Sequence, residues 1–264
     1  MTYRQLEATP ARPSVLTRIC GRLLMSRPPA DWTVPPADGR YGPDRPGDPR
    51  PLTLLVLGDS CALGLGVDRP GETLGARLAQ SLGEHLDRPV DLRVFARVGA
   101  TTAALRHQLV GAAGLRPGLA LLCVGGTDAL LPLPVGRAVR RFALVLRRLR
   151  ETGWHPVVLS CPDPGRAPGL RAPARLLGAS RARRLAHRQT RAAERAGAPT
   201  AAGGGRHDRA DHLLGPDGVH PSPLGCAEHA ARVLPALLAA ATALPAPPPS
   251  PAPHPSSTPV PARP

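Results

Sequence analysis

The sequence predicts an α/β domain built on a parallel sheet with helices on both faces, and three observations carry that prediction. Short apolar runs end in glycine, as in LTLLVL before Gly58 and GLALLCV before Gly125–Gly126, which marks strands buried on both sides. Between such runs lie stretches with apolar residues three and four apart and Arg on the opposite face. The two patterns alternate along the chain, which is the order of successive strand–helix–strand units.

Taken in order, the first strand is 52–57, followed by a helix around 72–86 with Leu74, Leu78 and Leu82 four apart. A second strand, roughly 90–96, leads to Gly99 and a helix from about 102 to 113. The third strand, 118–124, precedes a long helix from about 134 to 151, whose apolar face carries Val135, Val139, Phe142, Leu146 and Leu149. A fourth strand, 156–160, is followed by a Pro-rich loop, an Arg-rich helix from about 178 to 196, and a last helix at about 222–240. The domain is therefore expected over 51–242. Residues 1–50 hold nine Pro and read as a mostly irregular lead-in, with 14–26 able to form a short basic amphipathic helix bearing Val15, Ile19 and Leu23 on one face. The tail, 243–264, is Pro-rich (10 of its last 20 residues) and reads as disordered. No internal repeat is present.

Composition narrows the function classes. The chain of 264 residues has no Lys, no Asn and one Ile, with 34 Arg against 19 acidic residues and a formal charge of +15. That bias is the signature of a GC-rich genome, so the charge is weak support for nucleic acid as a partner. Six aromatic residues are too few for base-stacking platforms. Five Cys without a CxxC pair argue against both a disulfide framework and a thiolate metal site. No apolar run approaches the roughly 20 residues of a membrane span, and Arg18 and Arg22 interrupt the only segment that could serve as a secretory signal. A cytoplasmic protein with a reduced interior is expected.

Ligands of such sheets sit at the C-terminal ends of the strands, so the loops at 58–64, 97–102 and 125–131 should share one crevice. The first holds Gly58-Asp59-Ser60-Cys61-Ala62-Leu63-Gly64, where a hydroxyl at a strand end is open to approach as a nucleophile. Ala62 stands where a nucleophile elbow would have its second Gly. Gly99-Ala100-Thr101-Thr102 frees a backbone amide at a helix start, and the third loop is Gly125-Gly126-Thr127-Asp128. Far downstream, Asp217-Gly218-Val219-His220-Pro221-Ser222 places a carboxylate and an imidazole three residues apart, so that the acid can fix the ring tautomer while the other nitrogen reaches a Ser.

In that order these blocks resemble the SGNH hydrolases, also called the GDSL esterase/lipase family, over about 52–240. The resemblance implies a flavodoxin-like three-layer α/β/α sandwich with about five parallel strands. It implies Ser60 as nucleophile, His220 as general base and Asp217 as its orienter. The oxyanion donors would be the amides of Ser60 and Gly99 with the residue at 127. Here the sequence departs from the family, which has Asn where this chain has Thr127. A Thr offers one O–H on a shorter arm, and losing an oxyanion donor costs about 10²–10³ in turnover. Asp59 and Asp128 read as loop supports, and Cys61 as a packing residue beside Ser60.

Each feature alone has a blander reading: Ser60 as a turn cap, His220 as a buried histidine, Gly99 as a turn glycine. The group His207, Asp208, Asp211, His212, Asp217 and His220 fits no zinc spacing, so neither metal nor other cofactor is expected. The implied function is hydrolysis of carboxylic esters through an acyl-enzyme, with the oxyanion hole weakened at Thr127. The scarcity of aromatics favours a small or simple acyl ester over a polysaccharide acetyl group. Thioesterase or acyltransferase chemistry would use the same residues. A different class of reading is a catalytically weak protein that binds anionic surfaces, including a membrane, through its Arg-rich helices; residues 137–195 carry 15 Arg against three acids. Oligomeric state is not legible from the sequence.

Overall fold

The computed structural model describes residues 15–29, 32–45, 50–203 and 211–245. In chain order the elements are α1 (Val15–Leu24), β1 (Gly39–Tyr41), β2 (Leu52–Gly58), α2 (Ser60–Leu63), α3 (Leu74–Leu86), β3 (Val90–Ala96), α4 (Leu105–Gly111), β4 (Leu119–Cys123), α5 (Gly126–Leu130), α6 (Val135–Glu151), β5 (His155–Leu159), α7 (Ala172–Arg195), β6 (Thr200–Ala201) and α8 (Pro223–Thr242). They form one six-stranded sheet in the order β1-β3-β2-β4-β5-β6. Strands β2 to β6 are parallel, and β1 runs antiparallel to β3 at the edge.

Strand β2 is central because its sequence suits burial on both sides. Leu54 and Val56 point into a core packed with α3 and α8, through Leu78, Leu82, Val233 and Leu237. Leu55 and Leu57 point the other way, into a core with Phe142, Leu146 and Leu149 of α6, Trp154 and Val158. The period of two along the strand thus feeds two separate cores. Helix α3 is started by Thr73, whose side chain accepts from the Ala76 amide at 3.2 Å.

Two departures from the sequence reading have clear causes. The stretch 27–50, read as irregular, supplies β1; Gly39, Arg40 and Tyr41 pair with Leu92, Asp91 and Val90. Three residues flanked by Pro carry no period, and what holds them is tertiary: Arg40 Nε donates to Asp91 at 3.0 Å and the Tyr41 hydroxyl to Ala37 O at 2.7 Å. Helix α7 begins at Ala172, six residues before the expected 178, with Pro in its first turn. Its first turns leave Leu176 and Leu177 exposed, so no buried apolar stripe announces them. The tail from 246 onward and residues 1–14 lie outside the described residues.

The chain leaves β2 for β3 on one side and returns to β4 on the other. The point where those paths diverge is the crevice in which an open parallel sheet holds its ligands.

Candidate active site

Strand β2 ends at Gly58, and the next two residues carry the site. A Cβ at Gly58 would stand 1.8 Å from Cys123 O, so only glycine lets β2 and β4 stay paired at this point. Gln108 of α4 clamps the same residue from the side: Gly58 N donates to its Oε1 at 2.9 Å and its Nε2 donates to Gly58 O at 2.8 Å. Asp59 then caps α2, accepting from Cys61 N at 3.1 Å, and Ser60 becomes the first residue of that helix.

His220 Nε2 lies 2.9 Å from Ser60 Oγ across 160 residues of sequence. Its Nδ1 lies 2.5 Å from Asp217 Oδ2. The other Asp217 oxygen accepts from Val219 N at 2.8 Å and His220 N at 3.0 Å, which fixes the carboxylate on its own turn. Burial alone would raise the Asp217 carboxyl, but the His220 ring and these two amides outweigh it, and the net shift is downward. An ionised carboxylate only accepts, so it holds Nδ1 as the donor and leaves the Nε2 lone pair facing the Ser60 hydroxyl. Asp217 and His220 are 7% and 6% exposed. Their turn is held by Gly215 N donating to His220 O at 2.7 Å and by Ser222, which caps α8 and donates to His212 O at 2.8 Å.

Two further carboxylates join the strand-end loops. Asp59 Oδ2 accepts from Gly125 N at 3.2 Å, tying the first loop to the third. Asp128 Oδ2 accepts from Thr102 N at 2.7 Å and Thr102 Oγ1 at 2.9 Å, tying the third loop to the second. Burial pushes the Asp59 carboxyl up to about 6, against the Cys61 and Gly125 amides and the nearby His220 ring. Burial also raises Asp128, against its Thr102 hydrogen bonds.

Ser60, Gly99, Thr127 and His220 line one cavity of about 300 Å³. Gly99 takes φ +71°, a left-handed conformation that glycine adopts without strain. The Thr127 hydroxyl has no hydrogen-bond partner among the described residues. Half-buried Cys61 has its thiol pushed well up, by desolvation first and the Asp59 carboxylate next, which keeps it protonated and unreactive beside Ser60. No group of three or more His, Cys, Asp or Glu among the described residues is placed to hold a metal ion, and His207 and Asp208 of the cluster considered above lie outside those residues.

Sequence reasoning missed several supports. Besides Gln108, the fully buried Gln189 bridges the strand ends, accepting from Cys161 N at 2.9 Å and donating to Val124 O at 3.0 Å. Arg181 donates to the carbonyls of Ala129, Leu131 and Leu133, holding the chain after α5. A single Gln or Arg in a helix carries no pattern that would have singled it out. Trp32, in a stretch read as irregular, also lines the cavity, as does α1, which its amphipathic pattern announced as a helix but not as part of the site.

Comparison with known proteins adds to this geometry. GDSL-like esterase Rv1075c of Mycobacterium tuberculosis (strain ATCC 25618 / H37Rv) is 34% identical over 179 residues, covering 64% of this chain and 57% of that protein. The chain thus spans little more than half the length of that relative. Among solved structures, TesA superposes with a TM-score of 0.55 at 22% identity, over 71% of this chain and 99% of its own. The psychrotrophic esterase EstA from Pseudoalteromonas sp., in a structure inhibited by monoethylphosphonate, gives a TM-score of 0.55 at 16% identity over 71% and 97%. At these identities the structural likeness establishes the shared fold. The sequence profile of the GDSL-like Lipase/Acylhydrolase family reaches further, because it matches residues 56–228 and so takes in both the Ser60 turn and the Asp217–His220 turn; the chain belongs to that family.

Proposed function

We propose that the protein hydrolyses carboxylic esters through a covalent acyl-enzyme, with Ser60, His220 and Asp217 as its catalytic triad. The observation that carries this reading is the unbroken chain from Asp217 through His220 to Ser60 Oγ, opening into a cavity. Ser60 Oγ attacks the ester carbonyl as His220 Nε2 takes its proton, and the imidazolium is held by Asp217. The tetrahedral oxyanion is stabilised by the amides of Ser60, at the start of a helix, and Gly99, with the Thr127 hydroxyl as third donor. His220 returns the proton to the departing alcohol. Water, activated by the same ring, then attacks the acyl-Ser60 ester and frees the acid. Neither metal nor organic cofactor enters this sequence of steps.

Covalent labelling by a fluorophosphonate tests it. The wild-type protein should be labelled and Ser60→Ala should not, whereas a folded wild-type protein that takes no label would overturn the reading. One observation also supports contact with an anionic membrane surface: Ile19 and Leu23 on the outer side of α1 are 50% and 68% exposed, beside exposed Arg18 and Arg22. Co-sedimentation with phosphatidylglycerol vesicles that is lost in high salt is the expected result, and equal binding to neutral vesicles would refute the electrostatic part.

A further inference from the structure

The cavity that takes in Ser60 and His220 has one wall made by residues that precede the family-matched segment, 56–228. Cys20, Gly21 and Leu24 of α1, then Met25 and Trp32, all face it. This wall is docked on the domain by a defined set of bonds. Met25 and Leu170 form an antiparallel bridge. Ser26 donates to Gly169 O from its amide at 2.7 Å and from its hydroxyl at 3.0 Å, and Arg171 N donates to Leu24 O at 2.9 Å. Met25 is buried with Ala167 and Leu170, and Trp32, Leu130 and Val219 pack against them. The fit of α1 to Trp32 is close, since a Cβ at Gly21 would stand 2.6 Å from the indole ring.

The lining divides by chemistry. Asp163 and Arg166 come from the loop after β5, and His229 and Arg232 from α8, whereas Cys20, Gly21, Leu24, Met25 and Trp32 are all uncharged and mostly apolar. An uncharged wall beside the nucleophile suits a hydrocarbon chain. Of the two halves of an ester, the acyl group stays bound through both chemical steps, so a docked wall serves it best. The cavity of about 300 Å³ sets the length. At roughly 30 Å³ for a water-sized group, close to a methylene, it holds about ten such groups, the ester group over Ser60 included.

We propose that Cys20, Gly21, Leu24, Met25 and Trp32 form the acyl-chain wall of the site and make the protein selective for medium-chain acyl esters, about six to ten carbons long; the inference rests on the ester-hydrolase reading above. The wall binds the chain by removing it from water, so each methylene that enters raises kcat/KM by about two- to fourfold.

The test is steady-state kinetics of the full chain on p-nitrophenyl esters from acetate to dodecanoate, with fluorophosphonate labelling of Ser60 in parallel and octyl acetate as a long-alcohol control. In the wild-type protein, kcat/KM should rise to about octanoate and fall beyond it. Leu24→Trp fills the cavity and should lower the octanoate-to-acetate ratio by about tenfold or more, whereas Trp32→Ala should move the optimum to longer chains. A role limited to holding the fold would not shift the optimum in opposite directions. Three results would overturn the inference while leaving the hydrolase reading intact. These are a labelled enzyme with a flat profile from acetate to octanoate, variants that scale every ester alike, and a length preference that follows the alcohol. A folded protein that neither labels nor hydrolyses any of these esters ends the hydrolase reading and this inference with it.

Discussion

Replacing Asp59 by Asn tests whether a buried carboxylate at the head of the site opposes folding at neutral pH. Asp59 is 4% exposed and its carboxyl is pushed up to about 6 from an ordinary 3.8, burial being the largest cause. The folded chain therefore holds a proton that the unfolded chain releases as pH rises from about 4 to about 6. With more protons bound in the native state, stability falls with rising pH across that window and levels off above it. The full effect is about 3 kcal/mol, of which about 2 kcal/mol falls between pH 4 and pH 7, because the unfolded carboxyl is already half ionised at pH 4. Asn is nearly isosteric and does not titrate, but it presents an NH₂ to one of the two amides that Asp59 accepts from. That loses about 1 kcal/mol at every pH. The variant should thus melt below the wild-type protein at pH 4 and above it at pH 7. The difference should swing by about 4–8 °C for a domain of this size, read by scanning calorimetry at pH 4, 5, 6 and 7. Asp128 and Asp217 titrate in both proteins and drop out of the difference to first order. A melting difference that stays constant over this range would show that Asp59 titrates as an ordinary carboxylate and would refute the argument.

Two other substitutions address the proposed chemistry. Asp217→Asn should keep the fold but lower kcat by about 10⁴, because an amide cannot hold the His220 tautomer or the imidazolium; near-wild-type turnover would remove Asp217 from the triad. Thr127→Asn should raise kcat and kcat/KM together, by about tenfold to a few hundredfold, by aiming an amide donor at the oxyanion. Thr127→Val shows whether the present hydroxyl donates at all, since a loss of about tenfold marks a working donor. If neither change at 127 alters the rate of active enzyme, the residue does not face the oxyanion.

What was legible in the sequence follows from how local each signal is. Leu54 to Leu57 and the face of Val139, Phe142 and Leu146 announce a strand and a helix because burial on two sides or one imposes its own period. The edge strand β1 and the two-residue β6 have no room for a period and exist through their partners, Val90–Leu92 and Val158–Leu159. The beginning of α7 is hidden for the same reason, since its buried positions are small residues, Gly178 and Ala182, with Leu176 and Leu177 left outside. At the site, the residue types with directional chemistry stood out as motifs. The bonds that position them did not, because Gln108 and Thr102 reach Gly58 and Asp128 across 50 and 26 residues of sequence.

The N-terminal wall and the His220 turn meet at one residue, Gly169. Gly169 N donates to Gly218 O at 3.0 Å, within the turn that carries Asp217 and His220, while Gly169 O accepts from Ser26 at the end of the wall. A side chain at this residue has no room, since its Cβ would stand 1.8 Å from Asp217 O. Gly66 makes a similar approach from the other side, where a Cβ would stand 2.5 Å from Pro221 O and 3.1 Å from the His220 Cβ. The histidine turn is thus pinned between two backbone segments that come close only because both are glycine. One of those segments also anchors the wall, so Ser26 and the histidine turn are hydrogen-bonded to the same residue, Gly169.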